Sequence, residues 1–137
     1  MKIEGIEFKE SYICDELSGG DVRYCELPSH PKDKGEGVYV VTDGDGLVYY
    51  VGSYKSGLSK RWVYKTKKVL YHFKNKLIAA SIKAGGKLVV LAATLDQIKN
   101  QIGCSGNKWV NGTSIETHLI STLKPRWNKS GNKKKAK

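Results

Sequence analysis

The chain has 137 residues, 24 Lys+Arg against 13 Asp+Glu, and 39% hydrophobic with 27% charged residues, the profile of one ordinary globular domain. Its longest apolar runs, such as Leu88 to Ala93, fall far short of the ~20 residues that cross a bilayer, and Glu4, Glu7 and Glu10 exclude a secretory signal, so cytosolic residence is expected. The net charge of +11 is uneven: residues 1–46 hold five bases and eleven acids, whereas residues 47–137 hold nineteen bases and only two acids, Asp96 and Glu116. A basic body with one acidic end points to a polyanionic partner, most simply nucleic acid, although a merely soluble lysine-rich surface has the same charge.

Ile3 to Leu27 is acidic with short apolar alternations, such as Val22 to Leu27, that fit an edge strand or an arm. Pro28 to Gly35 carries two prolines and a glycine and reads as a linker. Two β-branched and aromatic runs, Gly37 to Thr42 and Leu47 to Gly52, are joined by Asp43-Gly44-Asp45-Gly46, the clearest hairpin in the chain. From Leu58 the period changes, with Leu58, Trp62 and Lys65 on one helical face. A second helix is predicted over about Phe73 to Ala84, with Leu77, Ile78, Ser81 and Ile82 inward and Gly85-Gly86 as its stop. Lys87 to Ala93 reads as a buried strand. Thr94-x-x-Gln97 and Thr113-x-x-Glu116 each have the pattern of a capping box opening a helix, the second ended by Pro125.

Cys14, Cys25 and Cys104 show no metal or redox spacing. His30, His72 and His118 form no paired motif either, so no structural zinc is expected.

Gly37-Val38-Tyr39, ten further residues, and Tyr50-Val51-Gly52 resemble the signature of the GIY-YIG endonucleases, with valine for isoleucine in both triplets. The resemblance extends through Ser53, Leu58, Arg61, Glu116 and Pro125-Arg126-Trp127-Asn128, and is strongest to the compact phage endonuclease II subgroup and related restriction enzymes. It implies an α+β fold with a small three-stranded mixed or antiparallel sheet flanked by helices. Residues 35–128 would be the catalytic domain, 1–34 an acidic arm for strand or oligomer contacts, and 129–137 a basic disordered tail. The implied activity is hydrolysis of duplex DNA with one divalent cation, Mg2+ or Mn2+, leaving 5′-phosphate and 3′-hydroxyl ends. The implied setting is the cytoplasm of a bacterial host cell. DNA is the expected partner and membrane is not; a homodimer or homotetramer is expected because one active site cuts one strand at a time.

By the same resemblance Glu116 holds the metal, Tyr39 orients or deprotonates the attacking water, and Tyr50 holds a phosphate or a water on the metal. Arg61 would stabilise the transition state, and Asn128 would orient Glu116 or a water. Lys65 stands where some members have a histidine, and its expected part is to lower a tyrosine pKa. The residue chemistry agrees. A hard cation takes carboxylate oxygen and keeps several waters, and Arg61 offers a permanently charged fork to phosphate. Glu116 has a competing reading as the capping partner of Thr113. Lys55, Lys60, Lys67, Lys68, Lys74 and Lys76 would track the phosphate backbone. Trp62 would stack or wedge at a base step, against a competing reading as a core residue. The alternative to an enzyme is a non-catalytic nucleic-acid-binding protein on the same fold.

Overall fold

A computed structural model of the protein describes residues 1–16, 21–31, 35–43, 45–64, 70–72 and 74–128. Two short strands, β1 (Lys2–Ile3) and β2 (Ile6–Glu7), pair with each other and precede an acidic hairpin of β3 (Lys9–Glu16) and β4 (Val22–Glu26). The motif hairpin follows as β5 (Gly37–Asp43) and β6 (Val48–Tyr54). A 3-10 turn over Leu58–Arg61 leads into β7 (Val63–Tyr64), which pairs with β8 (Leu70–Tyr71). Then come helix α1 (Asn75–Lys83), strand β9 (Leu88–Thr94), helix α2 (Leu95–Gln101) and helix α3 (Gly112–Leu123).

The main sheet has five strands in the order β4-β3-β9-β5-β6, every neighbouring pair antiparallel. This corrects the three-stranded expectation. The acidic N-terminal segment supplies the other two, because Tyr12 and Cys14 on β3 and Val22 and Tyr24 on β4 alternate inward and need the sheet to cover them. The central strands β5 and β9 are buried on both faces, which explains their unbroken apolar sequences.

Successive residues point to opposite faces, and two cores result. Tyr39, Val41, Tyr50 and Tyr54 face a core closed by Leu58, Trp62, Trp127 and Ile78 of α1. Val38, Val40 and Val51 face the other, closed by Ile98 of α2 and by Ile115, Leu119 and Ile120 of α3.

Local signals account for the helix ends. The capping box at Thr94 and Gln97 is present, with Asp96 in the first turn. Gly85, at φ +94°, ends α1 as its sequence predicts, with Gly86 N–H returning to the Ser81 carbonyl. The helix read from Leu58 is cut to a single turn: the β-branched and aromatic run from Trp62 to Tyr64 leaves it in extended backbone and pairs as a strand. The second capping box is also displaced. Asn111 is the N-cap of α3 and Ser114 its partner, with both reciprocal hydrogen bonds made, so Thr113 and Glu116 lie inside the helix and neither caps it. No described helix is long and apolar enough to cross a membrane.

Candidate active site

The two triplets of the motif interlock across the hairpin. In the β5–β6 register, Gly37 stands opposite Tyr54, and Tyr39 opposite Gly52. Each tyrosine ring lies over the glycine facing it: a Cβ on Gly52 would sit 2.5 Å from Tyr39 Cζ, and one on Gly37 would collide with the Tyr54 ring. The glycines are therefore the floor on which the two rings rest.

Tyr39 is wholly buried and Tyr50 nearly so, with ring centroids 6.0 Å apart. The positive Arg61 lies near enough to favour the charged form of both phenols. His72, between β8 and α1, closes the group with its Nε2 at 2.7 Å from Tyr39 Oη. The Lys74 backbone N–H donates to His72 Nδ1 at 3.1 Å. In the neutral ring the proton is thereby assigned to Nε2, and His72 donates to Tyr39.

Burial sets the protonation states. Desolvation, and then the adjoining Tyr50, push the Tyr39 hydroxyl far above the ordinary tyrosine range, while Arg61 pulls it back. Tyr50 is pushed up to about 12 by burial first and by the negative Glu116 second, with Arg61 again opposing. His72 is held down at about 3 by burial and by the positive Arg61 and Lys74. At neutral pH both phenols keep their protons and the imidazole is uncharged.

Strand β6 is the sheet edge, and Tyr50 and Ser53 lie on opposite faces of it. Glu116, half-buried in the second turn of α3, reaches this edge and accepts a 2.6 Å hydrogen bond from Ser53 Oγ on Oε1. Among the described residues no three His, Cys, Asp or Glu side chains gather into a metal cage. The oxygens that could hold a cation here are the Glu116 carboxylate and the Ser53 hydroxyl beside it, hard donors of the type a magnesium-like ion takes when water and substrate complete its shell.

The segment after α3 wraps around the same edge. Trp127 N–H donates to the Tyr49 carbonyl at 2.9 Å, and its ring stacks on Tyr49 with centroids 4.9 Å apart. Buried Asn128 clasps Val51 in both directions, accepting from its N–H and donating to its carbonyl, each at 2.8 Å.

The remaining anticipated residues are dispersed. Lys55, Lys60 and Lys76 are exposed; Lys74 is drawn inward, its Nζ 5.7 Å from the Tyr50 ring centroid. Lys65, Lys67 and Lys68 lie outside the described residues. Trp62 is 4% exposed and packs against Tyr12, Tyr24, Tyr39 and His72, a core residue with no face for stacking on a base. Two contributors had been given no role from the sequence. His72 carries no sequence signal, since its partner lies 33 residues away. Ser53 directly follows the second triplet, and strand alternation would have turned it toward the helix carrying Glu116.

The architecture is a mixed α+β domain, a five-stranded antiparallel sheet with one helix on the tyrosine face and two on the other. The chain shares its fold with bacteriophage T4 EndoII: a solved structure of a point mutant of that protein matches over 88% of this chain and 91% of that one, with TM-score 0.53 and 16% identity. No protein-family model matches the chain, and no curated protein matches it.

Proposed function

We propose that the protein is a metal-dependent endonuclease of the GIY-YIG type that hydrolyses phosphodiester bonds of duplex DNA, leaving 5′-phosphate and 3′-hydroxyl ends. The observation that carries this reading is the Tyr39–Tyr50 pair, with ring centroids 6.0 Å apart, beside the edge strand that Glu116 reaches through Ser53, with Arg61 placing its charge near both phenols. The basic character of residues 47–137 and the shared fold with a phage endonuclease support it.

In this reading the exposed Arg61 guanidinium grips the scissile phosphate and opposes the charge that builds on it. Glu116 presents its carboxylate at the β6 edge to Mg2+ or Mn2+, with Ser53 fixing its orientation. The bound cation would supply charge neutralisation at the phosphate and a lowered pKa for water. Tyr50, the less buried of the two phenols, meets the water or phosphate. Tyr39, fully buried, acts through it as a positioning residue, held by His72. Asn128 fixes the strand that carries Tyr50.

Supercoiled plasmid incubated with the protein and Mg2+ tests the proposal, with nicked or linear product expected. DNA binding without any cut product would leave a non-catalytic nucleic-acid-binding protein in its place.

A further inference from the structure

Trp109 stands apart from every other large apolar side chain described. It is 88% exposed, whereas none of the others exceeds 49%, and Trp62 and Trp127 are 4% and 7% exposed. Its position is not that of a loose loop. Between α2 and α3 the backbone is stitched by Cys104 N–H to Lys99 O at 2.7 Å, Asn107 N–H to Cys104 O at 3.0 Å, and Trp109 N–H to Asn107 Oδ1 at 2.8 Å. Beyond it, Asn111 caps α3, and Glu36 accepts from Gly112 N–H at 2.6 Å, which pins the base of the loop beside the first residue of β5. An indole is thus presented to solvent on a pre-ordered backbone.

We propose that Trp109 is a base-stacking finger that packs its indole against a nucleobase of bound DNA close to the scissile phosphate, a role that rests on the nuclease reading above. Three observations select this occupant. Its sequence neighbours Asn107 and Lys108 are both exposed. A protein-binding hot spot is a desolvated, well-packed cluster, whereas a single aromatic beside a cation is how nucleic-acid surfaces combine stacking with phosphate contact. The chain carries +11, with two acids after residue 46, so the approaching surface is a polyanion. Distance is the third. Two loop residues and four helical residues lie between Trp109 and Glu116, so their Cα atoms are at most about 17 Å apart, roughly five base steps at 3.4 Å each.

Trp109 is also its own reporter, since it is the exposed one of three tryptophans. Titrating the protein with a short duplex in EDTA, so that no cutting occurs, is expected to quench its solvent-exposed emission and protect it from iodide. Trp109→Phe should keep most of the affinity, and Trp109→Ala should lose about 5- to 100-fold and redistribute the cut sites once Mg2+ is added. Unchanged emission and iodide access while anisotropy shows the duplex bound would overturn the proposal. So would Trp109→Ala binding with wild-type affinity, or burial of Trp109 by self-association without DNA. Quenching by DNA together with no cutting in Mg2+ would instead uphold the finger and remove the nuclease reading.

Discussion

The ring of Tyr39 lies directly over Gly52, its register partner on the neighbouring strand, with Tyr39 Cζ only 2.5 Å from where a Gly52 side chain would begin. The spacing of the two triplets is therefore a packing requirement as well as a chemical one, since an edge strand must leave a bare backbone beneath an aromatic ring. Gly52→Ala should push the ring off its seat and break its hydrogen bond to His72, costing about 1–3 kcal/mol of stability and most of the cleavage activity. Thermal melting and plasmid cutting on one preparation check this; an unchanged melt would mean that the ring has room to move.

Because Asn111 and Ser114 cap α3, Glu116 is free of that duty. Glu116→Gln should abolish cutting while DNA affinity and the melting curve stay near wild type. Asn111→Ala should do the reverse, losing about 1 kcal/mol of stability with the chemistry intact. A large drop in melting temperature for Glu116→Gln would restore the structural role.

The clasp of Asn128 on Val51 leaves two buried backbone groups without a partner if it is removed. Asn128→Ala should cost about 2–4 kcal/mol and speed hydrogen exchange at the Val51 amide. Exchange that remains slow would show that the strand holds itself.

His72 predicts a stability profile. Its pKa is lowered from 6.5 to about 3 in the folded state, so between those values the unfolded chain binds a proton that the native one refuses. The native state accordingly loses stability as pH falls from about 6.5 toward 3, by the order of a few kcal/mol, and gains it back as pH rises. His72→Phe cannot titrate, so the stability difference between wild type and variant should shift with pH in that window. Parallel curves from denaturant melts at pH 4.5 and 7 would refute the assignment.

Exposed Lys55, Lys60 and Lys76 should each contribute one phosphate contact. Replacing any of them by Ala is expected to reduce the slope of log affinity against log salt by about one, as fluorescence anisotropy at several salt concentrations reads it. An unaltered slope would place that lysine off the DNA path.

Much of this was legible in the sequence where the signal is local. The β5–β6 hairpin follows from its aspartate–glycine turn and aromatic runs, α2 from Thr94 and Gln97, and the end of α1 from paired glycines. The rest depended on choices between neighbours or on distant partners. Asn111 and Thr113 are both good N-caps, and only packing of Ile115 and Leu119 against the sheet selects the first. The run from Leu58 has helical spacing yet turns to strand once Trp62 enters the core. His72 meets Tyr39, and Ser53 meets Glu116, across 33 and 63 residues, separations that no local pattern encodes.

The clasp between positions 51 and 128 joins residues 77 apart in the chain, and Glu116 arrives almost as late. Closing so long a loop has to await nearly all of the chain. During synthesis, the tyrosines and Arg61 are thus present well before the carboxylate and the clasp. A fragment that stops short of α3 would lack the carboxylate on which the proposed chemistry depends, so an interrupted product would leave the nucleic acid around it intact.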